Sequence, residues 1–446
     1  MPVSTSLSYR NSIYRSPLSS KSPSTSYRST YDRNSTYSTS SYRPISSFSS
    51  STLPSSYTSS HRPSCLLSLN SGSSSTPSSI QLTRYNHRRS SLDYNDDDFN
   101  SSSSSKSVSS SSYLSPFSRR KKYTLTDDKN ELPSELSGLS NLGNTCYMNS
   151  ILQSLYSTEI FREYLAKSDR GTLNMALRRL FEEINDSNNH TVNPSSFRNS
   201  FTRVQSKFRG YEQQDAQEFF QYLINALHDE VNLARSSSTP RTYRSPKSSS
   251  EAWDQYKSLE NSSLVDMMAG LLSSTVTCSI CGNSSICYDP FWGLSLPLPV
   301  GVRETNAEKC LKEFTALEEL SRDELAKCER CNKPTKSTKR LAIEKAPPVL
   351  VLHLKRFSNE GYKLVLPKVI ASERIFTKSK CYTLNSIVLH HGGSIRSGHY
   401  TSYGRHGSKW YHFNDERVSE LKNFIPEDVE DAYILFYVES SISSRL

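Results

Sequence analysis

Two residues far apart in this chain are of types that together make an activated nucleophile. Cys146 closes a polar, glycine-bearing turn, Gly138-Leu-Ser-Asn-Leu-Gly-Asn-Thr-Cys146, and opens an apolar-periodic run, Met148, Ile151, Leu152 and Leu155. That spacing predicts a helix beginning at the cysteine, with Asn144 and Thr145 both suited to cap its first turn. A helix N-terminus lowers a thiol pKa from about 8.5 toward roughly 3.5–7.5, and the thiolate is the nucleophile. A lone cysteine is more often a buried structural residue, so this reading needs a base elsewhere. His399 supplies one. It follows a glycine-rich turn, Gly392-Gly-Ser-Ile-Arg-Ser-Gly-His399, and opens a strand pattern, Tyr400-Thr-Ser-Tyr403. Gly398 before it would let a substrate backbone approach closely.

A second strand pattern ends in Trp410-Tyr-His-Phe-Asn414-Asp415. If the two strands form a hairpin, Asn414 returns beside His399. It then accepts from one imidazole nitrogen while the other nitrogen faces Cys146, the nucleophile–base–orienter logic of an activated thiol. Asn414 and Asp415 are adjacent, and neighbouring strand side chains point to opposite faces, so only one orients the ring if the strand stays regular. His353, His390, His391, His406 and His412 read as structural or surface residues.

Four further cysteines have metal-ligand spacing. Cys278-Ser-Ile-Cys281 and Cys328-Glu-Arg-Cys331 form two knuckles, and four thiolates at two-residue gaps suit a closed tetrahedral Zn²⁺ site of the structural kind. No group among these candidates calls for a cofactor in catalysis.

The elements that must position these residues fall in two blocks. Helical periodicity covers Leu173, Ala176, Leu177, Leu180, Phe181 and Ile184, and a longer helix is predicted over 214–231. After Ser273 the pattern turns strand-like, with runs at 349–357, 384–390, 400–403, 409–413 and 432–438. Helices first and mainly antiparallel strands after predict an α+β fold. A cysteine at a helix start facing a β-rich lobe that carries the base is the papain-like arrangement. Residues 234–250, rich in Ser, Arg and Pro, read as an exposed loop insertion.

The charge is placed unevenly. The net charge is +10 over 446 residues. Residues 1–122 hold 15 Lys/Arg and 5 Asp/Glu, which leaves 39 of each for the remainder. The whole basic excess therefore belongs to a serine-dominated N-terminal third, which cannot bury enough apolar surface to offset its chain entropy. Residues 1–130 are expected to be a disordered tail and 131–446 one folded domain. Serines near arginine and proline make phosphorylating or tail-binding partners an expectation. Arg119-Arg-Lys-Lys122 is a short basic cluster of the kind found in nuclear signals. No apolar run is long enough for a transmembrane helix, and no apolar segment marks a secretion signal, so the expectation is cytoplasm, with the nucleus second, and no membrane partner. An odd cysteine count of nine points to metal or catalysis rather than a disulfide framework.

The segments Gly138–Ser150, Gly392–Tyr403 and Gly210-Tyr-Glu-Gln-Gln-Asp215-Ala-Gln-Glu-Phe-Phe220 resemble three boxes of the ubiquitin-specific protease family. Glu251-Ala-Trp253, Asp289-Pro-Phe-Trp292 and Leu352-His-Leu-Lys-Arg-Phe357 add to the likeness, which runs from Gly138 to Val438. The resemblance implies a papain-like cysteine protease with thumb, palm and fingers, the fingers within about 273–345. It implies a deubiquitinase, a cysteine-type ubiquitinyl hydrolase acting at the C-terminal glycine of ubiquitin, with ubiquitin and ubiquitinated proteins as partners. Within it Asn141 matches the side-chain oxyanion donor, Asn414 the orienter, and Asp215 a residue that pairs with an arginine of the ubiquitin tail. A carboxylate suits that arginine, and a helix N-cap is the plainer role for Asp215. The four cysteines match a zinc site at the tip of the fingers. Asn149 reads as an ordinary polar helix residue and is left out. Two other classes stand beside this one. The first is a ubiquitin-binding scaffold without turnover. The second is an RNA-binding protein acting through the basic tail, a role that the neutral folded part does not support.

Overall fold

In the computed structural model the described residues are 124–126, 136–186, 191–236, 245–320, 325–358, 361–364, 367–378, 380–395 and 397–443. Helices come first: α1 (Cys146–Tyr156), α2 (Glu159–Ala166), α3 (Thr172–Asn185), α4 (Ser195–Val204), α5 (Ala216–Val231), α6 (Ser249–Leu259) and α7 (Ser263–Met268). Among them lie three short strands, β1 (Thr124–Thr126), β2 (Gly138–Leu139) and β3 (Thr191–Val192). The second block holds β4 (Gly270–Cys278), β5 (Ser284–Phe291), β6 (Leu294–Leu296), β7 (Glu304–Asn306), β8 (Leu317–Glu319), β9 (Ala326–Cys328), β10 (Lys333–Thr335) and β11 (Ser337–Lys345). It continues with β12 (Val349–Leu354), β13 (Lys368–Ile370), β14 (Arg374–Phe376), β15 (Cys381–Ser394), β16 (Ser397–His406), β17 (Lys409–Asn414), β18 (Arg417–Lys422) and β19 (Ala432–Glu439). This is the α+β order that the sequence predicts. One helix, α8 (Ala307–Phe314), interrupts the strand-rich block, started by Asn306, whose side chain accepts from the Lys309 N–H.

The scaffold is a sheet of nine strands among the described residues, in the order β1-β18-β17-β16-β15-β19-β12-β6, with β14 paired to β15. Its two faces are read directly from strand alternation. On β12, Val349 and Val351 enter one core, together with Ile151, Leu155, Phe219 and Leu223 from helices α1 and α5. Leu350, Leu352 and Leu354 enter a second core on the opposite face, with Leu311 of α8 and Leu384, Leu435 and Tyr437. The central strands β12 and β19 are thus buried on both sides, which is why they read as near-continuous apolar runs. Helix α1 lies inside the first core and all eleven of its residues are buried. A smaller sheet, β5-β4-β11-β8, is built from strands between residues 270 and 345, close to the stretch expected for the fingers.

Two boundaries differ from expectation. The expectation for residues 1–123 lies outside the described residues, but Thr124–Thr126 within the expected tail is strand β1, paired with Glu420–Lys422 of β18. An exposed sheet edge offers backbone partners to any extended segment that reaches it. Of the expected insertion 234–250, residues 237–244 lie outside the described residues, 234–236 belong to a 3-10 turn over Leu233–Ser236, and the last two positions are helical. Ser248 accepts from the Glu251 N–H at 3.2 Å, and Glu251 Oε2 accepts from the Lys247 N–H at 2.8 Å. This near capping box starts α6 at Ser249. No helix among the described residues is long and apolar enough to cross a membrane.

Candidate active site

Cys146 is the first residue of α1 and is 3 % exposed. The turn before it is folded around one oxygen. Asn141 Oδ1 accepts from the Gly143 N–H at 3.1 Å, the Thr145 N–H at 3.0 Å and the Thr145 hydroxyl at 3.3 Å. Gly143 and Asn144 both take left-handed φ, 89° and 54°, which turns the chain sharply into the helix. Neither residue expected to cap α1 does so. Thr145 is the N-cap, but its side chain makes no cap bond and instead accepts from the Leu142 N–H at 2.8 Å. Asn144 Nδ2 donates to Tyr211 O at 2.8 Å. The amides of the first turn stay free of a side-chain cap from Thr145, leaving donors beside the sulfur.

The hairpin expected between the two strand patterns forms. Strands β16 and β17 pair antiparallel with Ser402 opposite Phe413, so Asn414, the last residue of β17, lies one step beyond that pair on the side toward His399. His399 Nε2 and Asn414 Oδ1 are 2.7 Å apart. A hydrogen bond with the Cys146 sulfur is the largest influence on the ring. With Asn414 and against the effect of burial, it pushes the His399 pKa up to about 9. Cys146, His399 and Asn414 therefore form one connected line.

Asp415 turns away from the ring. It sits at φ 48° just beyond β17, so strand alternation has ended there. Its two carboxylate oxygens take different amides: Oδ1 accepts from Asn149 Nδ2 at 2.8 Å and Oδ2 from Asn141 Nδ2 at 2.9 Å. Burial pushes its carboxyl pKa up, and these two hydrogen bonds oppose that. Asn149, set aside as an ordinary helix position, is buried and joins α1 to the Asp415 turn, and it reaches Leu139 O and Ser140 O as well. Its place three residues after Cys146 puts it on the same face of α1 as the sulfur, the one sequence signal for it.

Gln213 is a second residue that the sequence reading passed over. Its amide makes two bonds to the backbone of one residue: Nε2 donates to Gly398 O at 3.0 Å and Oε1 accepts from the Gly398 N–H at 3.0 Å. The segment that holds Tyr211 against Asn144 thus also grips the turn leading into His399. Gly398 is pressed from below: a Cβ there would lie 2.5 Å from His390 Nε2. Asp215 is the N-cap of α5, accepting from the Gln217 N–H at 2.8 Å, and it also accepts from the Tyr433 hydroxyl at 2.8 and 2.9 Å. Burial pushes its pKa up against these bonds. The capping role is therefore present, shared with the bond from Tyr433.

Cys278, Cys281, Cys328 and Cys331 come together from the β4 and β9 ends of the smaller sheets, their sulfurs all within 4.8 Å of one another. All four are free thiols, and Cys281 and Cys328 sulfurs are 3.6 Å apart. Zn–S bonds of about 2.3 Å in a tetrahedron require S···S separations of roughly 3.8 Å, so the donor set fits Zn²⁺.

The model of the family described as ubiquitin carboxyl-terminal hydrolase matches residues 137–437. The chain belongs to that family. It is a cysteine-type deubiquitinating hydrolase by that membership, and the line of Cys146, His399 and Asn414 lies within the matched residues. Ubiquitin carboxyl-terminal hydrolase 2 of Gallus gallus is 38 % identical over 342 residues, covering 70 % of this chain and 95 % of the relative. The Homo sapiens protein of the same name is 36 % identical over 344 residues, covering 70 % of this chain but 56 % of the relative. The chain thus spans only about half the length of that mammalian relative. Among solved structures, the SAGA DUB module bound to monoubiquitin is similar with TM-score 0.55 and 26 % identity, covering 70 % of this chain and 72 % of the other. The hydrolase fold expected from the three boxes is the fold observed.

Proposed function

We propose that this hydrolase cleaves peptide or isopeptide bonds at the C-terminal glycine of ubiquitin by thiol chemistry, with Cys146 as nucleophile. An imidazolium at His399 stabilises a thiolate beside it. The thiolate attacks the glycine carbonyl, and negative charge develops on the oxygen. One N–H of Asn141 Nδ2 is taken by Asp415; the second, with the backbone N–H of Cys146, is the donor pair for that oxygen. Collapse breaks the C–N bond, and His399 passes its proton to the leaving amine. Water then attacks the thioester, gives a proton to the neutral imidazole, and the thiolate leaves. Asn414 holds the ring in register throughout. Asp215 offers a carboxylate to an arginine of the ubiquitin tail, and Gly398 leaves room for the tail backbone.

The observation that carries this reading is the 2.7 Å contact between His399 and Asn414 on a ring that also bonds Cys146. The decisive experiment is a fluorogenic ubiquitin C-terminal substrate with the full chain beside Cys146→Ala. Loss of turnover in the variant supports the proposal, and turnover within about tenfold of wild type sinks it.

Zn²⁺ belongs to the proposal as a structural ion held by Cys278, Cys281, Cys328 and Cys331, and supplies folding free energy only. A reducing compartment, cytoplasm or nucleus, is proposed because those thiols must stay reduced to bind it.

A further inference from the structure

A groove of about 280 Å³ opens between α8 and the edge of β11. It lies away from the catalytic line. Helix α8 packs on the core containing Leu350, Leu352 and Leu354, whereas Cys146 packs on the opposite face of β12 with Val349 and Val351. Three independent features meet in it.

The first is an unpaired strand edge. On one side β11 is covered by β4 along its length, but on the other β8 pairs only with Thr338–Arg340. The backbone of Leu341 and the next two residues therefore has no strand partner on that side among the described residues. Such an edge is a template for an added strand. The second is an apolar lining, Leu311 and Leu341, with Phe376 at 60 % exposure. The third is charge. Lys312, Arg340 and Lys378 are exposed at the rim against one lining carboxylate, Glu308, and none of the three has a carboxylate partner among the described residues, whereas the neighbouring Lys339 lies 4.0 Å from Glu318.

We propose that this groove docks an extended acidic segment of a partner protein, added as a strand along β11, with one large apolar side chain seated between Leu311, Leu341 and Phe376. The backbone edge selects an extended chain, the pocket selects one apolar anchor, and the three cations select flanking carboxylates. Residues 1–122 as a whole carry the basic excess, and their one acidic run, Leu92-Asp-Tyr-Asn-Asp-Asp-Asp-Phe99, is the competing occupant: unchanged peptide affinity after deletion of residues 1–123 supports a partner segment, and clearly tighter binding after that deletion would overturn it. A nucleic acid would meet the cations but not the apolar lining. The proposal goes beyond the hydrolase reading and does not depend on it.

The test is fluorescence anisotropy of the full chain with a labelled peptide carrying a central phenylalanine, flanking valines and glutamates at both ends. Saturable binding is expected, with Kd on the order of 100 µM or tighter, as for small transient contacts. Arg340→Glu with Lys378→Glu, and separately Phe376→Asp, should each weaken it by at least about tenfold. Lys312→Glu, at an exposed helix position, is the variant least able to disturb folding and should weaken it in the same direction. Each variant should keep the wild-type melting temperature, and hydrolysis of a fluorogenic ubiquitin substrate should be unchanged. No saturation by about 1 mM peptide would overturn the proposal. So would equal binding of a peptide with lysines for its glutamates, or with prolines for its valines, since proline cannot donate to a strand edge. Displacement by a single-stranded oligonucleotide at matching concentration would also overturn it.

Discussion

The Asp415 carboxylate lies 2.9 Å from the Asn141 side-chain amide, across 274 residues of chain, and bonds that amide rather than His399, the partner of its sequence neighbour Asn414. Two adjacent residues therefore serve two different partners. Asn414 faces His399, and Asp415 faces the proposed oxyanion donor and Asn149. From sequence alone Asp415→Ala would be expected to cost clearly less than Asn414→Ala. The structure removes that asymmetry. Asn414→Ala should lower kcat on the order of 10²-fold through lost positioning. Asp415→Ala should also lower kcat by roughly 10²-fold, because an unheld Asn141 is equivalent to losing an oxyanion donor. The two differ in their pH profiles: Asn414→Ala removes a hydrogen bond to the ring and should move the limb reporting His399 down by more than Asp415→Ala, whose carboxylate raises that pKa through its charge alone and as the smallest cause. A near-silent Asp415→Ala would show that Asn141 needs no support.

The elevated His399 pKa makes stability depend on pH in a defined direction. The folded value is about 9 against an ordinary 6.5, so the contribution is fully present below about pH 6.5 and is lost as pH rises through about 9. Cys146→Ala removes the largest cause. Urea denaturation at several pH values should show wild type losing stability relative to Cys146→Ala across that window. A constant difference between the two proteins would contradict the coupling.

Metal removal should act on folding and not on chemistry. Freshly prepared, reduced protein should contain one Zn²⁺ per chain by elemental analysis, and a strong chelator should lower the melting temperature. Cys331→Ser should lower both zinc content and melting temperature. Protein without zinc in a reduced preparation would rule the site out.

Gln213 should behave as a positioning residue. Gln213→Ala frees both backbone groups of Gly398, and kcat/KM should fall by about tenfold or more as the turn carrying His399 loosens. Gln213→Glu keeps the acceptor for the Gly398 N–H and loses the donor to Gly398 O, so its loss should be smaller only if the amide bond to the N–H dominates. Activity of Gln213→Ala equal to wild type would remove Gln213 from the site.

Deleting residues 1–123 should leave turnover of a small ubiquitin substrate and the melting temperature largely unchanged. Deleting residues 1–130 should leave turnover unchanged but lower the melting temperature, because β1 is lost from the β18 edge. Equal melting temperatures for the two truncations would mean that β1 adds nothing to the sheet.

The sequence by itself determined the periodic and local features. Cys146 opening a helix, the strand patterns around His399 and Asn414, the paired cysteine knuckles and the helices-then-strands order all follow from spacing, which depends only on 3.6- and 2-residue periods and ligand geometry. What it did not determine were contacts set by one residue's φ or by chain ends meeting in space. The left-handed turn at Asp415 redirects a side chain that a regular strand would place by alternation, and no local pattern announces it. Asn149 and Gln213 are single polar residues whose partners lie 266 and 185 positions away. Thr145 and Asn144 carry the chemistry of caps, but tertiary partners compete for their side chains and win. Local propensity therefore placed the reacting groups on their elements, and only long-range packing decided which neighbours hold them in line.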